Sequence, residues 1–342
     1  MLPSVFIVRS GQNRGFMKIF KWLLVFTFSV MAAQGQEFWF IDDGGITPVT
    51  QDLDLFPTNI VVGQTQSGNT LFVDDNARLS AGSVYVGLSN STGNVLQFDP
   101  NSEGIFNGEV VVGAESATNS MKIYPGAQVA SIFGTIGGGI DAQNNSVLVE
   151  GAGSTWNVTS NLVVGLNGRN NDLMVREDSV VAADSVFIGV YNTATNNAAL
   201  VSDATLEVAD MLVVGDAGSY NMLTVTNGAT ASAGSIWVGA SAAATGNVVR
   251  IGGADSTLTT EGALFVGSVS NAENRVVVSD DGAVQVGELL IGGTVNTFDL
   301  NNSGRLTVDG DFDASMDGFN FNEGGALYIG GTLTGLTNGL EE

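Results

Sequence analysis

Neither cysteine nor histidine occurs among the 342 residues, and lysine plus arginine number 11 against 35 acidic residues. Without those two residue types a Ser-His-Asp triad, a cysteine nucleophile, a histidine-based metal site and a disulfide framework are all excluded. The formal net charge of −24 argues against nucleic acid as a partner, because phosphate contacts need Lys and Arg. Beyond the N-terminal region no apolar run is long enough to span a bilayer, so the mature chain is expected to carry no transmembrane segment. What the chain has in abundance is glycine, at 46 residues, and its placement is periodic.

The first stretch reads as an address rather than as part of the fold. Lys18 and Lys21 form a positive flank after Met17, Trp22 to Ala33 supply an apolar core, and Ala33-Gln34-Gly35 offers small residues at a cleavage site. This is the pattern of a secretory signal peptide over residues 1–35, with translation starting at Met17, and an apolar run of about 12 residues is too short for a membrane anchor. Its removal leaves 7 basic and 35 acidic residues.

A Val/Ile/Leu-rich triplet ending in glycine recurs at Gly63, Gly87, Gly113, Gly137, Gly165, Gly189, Gly215, Gly239, Gly267 and Gly292. Spacings of 24 to 28 residues are the mark of a solenoid, whose units bury their apolar faces only by stacking. A stricter landmark, Asn-x-Φ-x-Φ with Φ apolar, occurs once per unit. Its asparagines are Asn69, Asn94, Asn119, Asn145, Asn171, Asn197, Asn221, Asn247, Asn274 and Asn296. Apolar residues at +2 and +4 give the period of a strand, which excludes helix. From each Asn to the next anchor Gly the distance is mostly 18 residues, so length variation is expected mainly in an outward turn just after the Gly.

Turn pairs such as Asp75-Asn76, Pro125-Gly126, Asn227-Gly228 and Asp281-Gly282 separate the Asn strand from a third short strand. Three strands and three bends then make one rung, and rungs ~4.8 Å apart stack like strands in parallel. The predicted fold is an all-β, right-handed parallel β-helix of about ten or eleven rungs. Residues 59–308 form the repeats, 36–58 an N-terminal cap, and 309–342 an irregular last rung or C-terminal cap. The β-branched residue before each anchor Gly, from Val62 to Ile291, forms an interior ladder. The asparagines form a second one, each amide both donating and accepting along the stack.

Three features are candidates for function. The outward position of the Val-Gly strand carries Tyr85, Phe187, Trp237 and Phe265 among β-branched residues, where a solvated face is usually polar. Such a stripe suits stacking on glycans, contact with other surface proteins or self-association; the plainer reading is β-propensity on an outer sheet face. Asp309, Asp311 and Asp313 with Asp317 place hard oxygens at alternate positions, as in the start of a Ca²⁺ loop. The Gly and Glu that complete an EF-hand are missing, so Ca²⁺ at a looser site is the one cofactor in view, with solvated charge as the plainer reading. A hydrolase could work with two carboxylates, of which the chain has many; candidates such as Asp74, Asp75, Asp280 and Asp281 lie at turns, where Asp is also an ordinary residue.

The phrases Gly151-Ala152-Gly153-Ser154-Thr155-Trp156-Asn157 before Leu162-Val163-Val164-Gly165, Gly252-Gly253-Ala254-Asp255-Ser256-Thr257-Leu258 before Val266-Gly267, and Leu223-Thr224-Val225-Thr226-Asn227-Gly228-Ala229 resemble bacterial autotransporter-associated β-strand repeats. The resemblance covers about residues 59–308 and implies a passenger-like β-helix, secreted or at the cell surface of a Gram-negative bacterium. Such families often end in an outer-membrane barrel, for which the stretch after residue 308 is too short. The expected function is structural and adhesive, without catalysis. The alternative is a carbohydrate-active β-helix enzyme, a polysaccharide hydrolase or lyase.

Overall fold

The computed structural model describes residues 37–268 and 272–335; the expected signal peptide lies outside the described residues. All described regular structure is β: strands collect into a 17-stranded sheet, a 12-stranded sheet and a two-stranded pair. Every strand pairing is parallel, and each joins a strand to the equivalent strand one turn away, as in Ser146–Glu150 beside Asp172–Arg176. This is a parallel β-solenoid. From Asn69 to Asn274 each turn contributes its Asn strand to the 12-stranded sheet and the rest of its strands to the 17-stranded sheet.

Twelve strands in the smaller sheet mean twelve turns, where the sequence markers give ten or eleven. The extra turns lie in the segments expected as caps. Ile46–Val49 pairs in register with Thr70–Val73, and Phe319–Phe321 with Thr297–Leu300. These end rungs lack the Asn and so escape the repeat pattern. Leu327-Tyr328-Ile329-Gly330 imitates an anchor triplet, yet its strand pairs with Arg305–Val308, which precedes the bend.

The interior consists of continuous rows of apolar side chains. Residues at +2 and +4 from each ladder Asn, such as Leu173 and Val175, point inward and are buried. The row before the anchor Gly is fully buried from Val62 to Val266, while Ile291 at its end is only partly buried. Each fully buried side chain stabilises the stack by roughly 1.5–3 kcal/mol before entropy is counted.

The asparagine row is an unbroken hydrogen-bonded ladder. Nδ2 of each donates to Oδ1 of the next, from Asn69 to Asn296, at 2.8 to 3.2 Å. The same Oδ1 also accepts the preceding Asn's backbone N–H, as between Asn171 and Asn197 at 3.0 Å. All ten are fully buried, so the ladder satisfies turn donors and acceptors that water does not reach. The anchor glycines follow from it. From Gly63 to Gly267 they hold φ between +72° and +82°, and a Cβ on any of them would lie 2.0 to 2.3 Å from the amide of a ladder Asn. Gly is therefore required on two counts, conformation and space. Gly292, beside the last Asn, has no such φ, and the left-handed residue there is Gly293.

Length variation is not confined to the turn after the Gly. The strands Glu103–Val112, Thr155–Val164 and Thr257–Val266 run 10 residues beside 9-residue neighbours. The surplus residue is a bulge at the bend of the large sheet, as between Thr260 and Ala263.

Candidate functional site

The outward row of the Val-Gly strand is one continuous file. Register places Val61 beside Tyr85, then Val111, Thr135, Val163, Phe187, Val213, Trp237, Phe265 and Leu290 on successive rungs. Phe187, Trp237 and Phe265 are half-buried. The indole of Trp237 stacks on the ring of Phe265 with centroids 3.7 Å apart and planes 11° apart. Parallel register produces that stack directly, because identical positions on adjacent rungs lie one strand spacing apart.

Tyr85 departs from the expectation of an exposed aromatic. It is 1% exposed and its hydroxyl donates to Glu109 Oε1 at 2.7 Å. Val61 and Val111 beside it are buried as well, and so is Val213 further along, so the accessible part of the row is Thr135 to Phe187 and then Trp237 to Leu290. Burial pushes the Glu109 carboxyl above its ordinary value, with the Tyr85 hydrogen bond opposing. Burial, then the Glu109 charge, push the Tyr85 phenol up.

A second outward row lies on the other side of the bend: Glu207, Ser232, Thr259, Gln285 and Thr307 on successive rungs. Over this stretch the bend is hollowed into a groove of about 530 Å³ whose lining includes Ser232, Thr259, Glu261, Gln285 and Asp309, with Gly234 between. The groove crosses the same rungs that carry Trp237 and Phe265. Sequence reading missed these polar residues. Their signal was the same period-two alternation, read across units in the third short strand, and the hollow lies where the pairing shifts register between Thr260 and Ala263.

The proposed calcium ligands are spread apart. Asp311 Oδ1 accepts the Thr332 backbone N–H at 2.7 Å, Asp313 Oδ1 accepts both the N–H and the hydroxyl of Ser315, and Asp309 accepts Gln285 Nε2 at 3.2 Å. The Ser315 bonds hold Asp313 below its ordinary range. Among the described residues no three acidic side chains are grouped to hold a metal ion, and these four, Asp317 included, are not brought together. Asp74 and Asp75 serve one turn and Asp280 and Asp281 another, with Asp75 accepting from Asn101 and Asp280 from Asn302 on neighbouring rungs.

The strongest downward shift belongs to Asp42. Its burial opposes ionisation but is outweighed by bonds from the Thr65 hydroxyl and the backbone N–H groups of Gln66, Thr65 and Gln64, leaving it at about 2. That carboxylate ties the first rung to the second.

No family model and no curated protein matches the chain. Among solved structures, the crystal structure of a TibC-catalysed hyper-glycosylated TibA fragment aligns with 89% of this chain and 96% of that one, at 15% identity and a TM-score of 0.30. A likeness of that size carries no argument about what this chain does.

Proposed function

We propose that the chain is a secreted or cell-surface structural and adhesive solenoid of a Gram-negative bacterium, without catalytic activity, whose working part is its outer face. The observation that carries this reading is the division of labour between rows. Inward residues and the asparagine ladder are consumed by packing and hydrogen bonding, whereas the Phe187–Phe265 stretch of the outer row holds a stacked aromatic pair that the core does not need. Half-exposed apolar surface of this kind marks contact with partners, and aromatic edges on a rigid sheet suit the apolar side of a sugar or another protein's surface. The secreted location rests on the N-terminal pattern of a signal peptide and on the repeat resemblance.

Glycan-array binding by the secreted chain, with and without Ca²⁺, tests it beside a Phe187→Ala/Trp237→Ala double variant. Loss of binding in a variant that keeps its β-sheet spectrum is the expected result. Turnover of a bound polysaccharide would overturn the non-catalytic part, and no binding by the folded parent would overturn the adhesive part.

A further inference from the structure

The groove beside the aromatic row has the properties of a binding site for an extended sugar chain. Its lining comes from five successive rungs, from Ala209 to Asp309, so it runs along the stack for about 20 Å at the strand spacing. One wall presents a hydroxyl from Ser232, a hydroxyl from Thr259 and an amide from Gln285 in strict register. The Ser232 and Thr259 hydroxyls and the Glu261 carboxylate take no side-chain partner among the described residues. They are donors and acceptors at a repeat of one strand spacing, which is close to the advance per ring of an extended pyranose chain. On the far side of the bend, in the same rungs and outside the lining, Trp237 and Phe265 stack face to face on each other. A sugar ring carries polar groups around its edge, and the row of hydroxyls and amide along the groove is matched to those groups.

Charge narrows the ligand. The lining includes Glu261 and Asp309 and no lysine or arginine, on a chain whose net charge is −24. A polyuronate or a phosphorylated glycan would meet like charge with no cation to offset it. We infer that the groove over Ser232, Thr259, Glu261 and Gln285 binds a neutral, unbranched oligosaccharide laid along the solenoid axis, about one ring to a rung. The inference rests on the adhesive reading and adds to it the place, the ligand class and the direction of the chain.

Titration calorimetry of the secreted chain with β-1,4-linked glucose oligomers of increasing length tests it, with oligogalacturonate of matched length as the charged control. Affinity should rise with each ring until about five rings fill the groove, and oligogalacturonate should not bind. Ser232→Ala/Gln285→Ala, both on the surface and outside the core, should weaken binding about tenfold, the cost of roughly one to two hydrogen bonds. Affinity independent of length, or tighter binding of the uronate, would overturn the inference. If array binding survives in Ser232→Ala/Gln285→Ala but is lost in Phe187→Ala/Trp237→Ala, the groove is refuted while the adhesive reading stands. Cleavage of the bound oligomer would uphold the groove and refute the absence of catalysis.

Discussion

Gly165 and Asn197 should behave as one unit, and a double-mutant cycle measures that. Asn197 Oδ1 accepts the Asn171 backbone N–H and Asn171 Nδ2, and Asn197 Nδ2 donates to the Gly168 carbonyl and Asn221 Oδ1 at 3.0 to 3.1 Å. Asn197→Ala leaves a buried backbone donor unpaired and should cost about 2–4 kcal/mol. Gly165→Ala places a Cβ 2.2 Å from Asn197 Nδ2 at φ +77°. It therefore displaces the same amide and adds about 1–2 kcal/mol for left-handed backbone, so about 3–6 kcal/mol in all. With Asn197 already truncated, the Cβ meets no amide and only the backbone cost remains. The double variant should then be about as unstable as Gly165→Ala alone, with a coupling of about 2–4 kcal/mol that an additive pair would lack. Urea unfolding followed by circular dichroism, with the slope checked against the parent, gives the four free energies. Additivity within about 0.5 kcal/mol would refute the claim that the glycine is conserved along the repeat to make room for the ladder.

Glu109→Gln keeps an acceptor for Tyr85 and removes a carboxyl that burial holds above its ordinary value of 4.5. A raised acid binds its proton more tightly folded than unfolded, so the parent should lose stability relative to the variant as pH rises from 4.5 through the raised folded value. Thermal midpoints of the two proteins from acid to neutrality check this, and parallel curves would contradict it. On the rung of Leu162 and Val163, Leu162 is buried in the core row and Val163 is half-buried in the outer row. Leu162→Ala should cost roughly 2–5 kcal/mol, and Val163→Thr much less, as measured by urea midpoints; equal losses would mean that the row assignment is inverted.

The solenoid was legible because every rung repeats its markers: a buried amide needs Asn, and the amide above the anchor needs Gly. The same logic hid the end rungs. At Gly44 a backbone N–H, not an Asn side chain, donates to Asn69 Oδ1 at 2.7 Å, so the first turn joins the ladder without showing its residue. Alternation predicted Tyr85 as an outward ring and gave no sign of the buried carboxyl of Glu109 that receives its hydroxyl. The acids at Asp309, Asp311 and Asp313 looked like ligands because their spacing was regular, but in strands and turns each one finds a local donor. The groove was illegible because it lies at the bend beside a one-residue bulge that no residue type signals.

Hydrogen exchange at the ladder asparagines tests the stacked-ladder account most directly. Their backbone N–H groups sit where turns meet strands, positions that ordinarily exchange quickly, yet each from Asn69 to Asn274 is bonded to the next Asn Oδ1 at 2.9 to 3.1 Å. The amides of Asn145, Asn171, Asn197 and Asn221 should exchange as slowly as those of the core strands beside them, with protection declining toward both ends of the stack. Fast exchange at these four in a protein whose strand amides are protected would contradict the ladder.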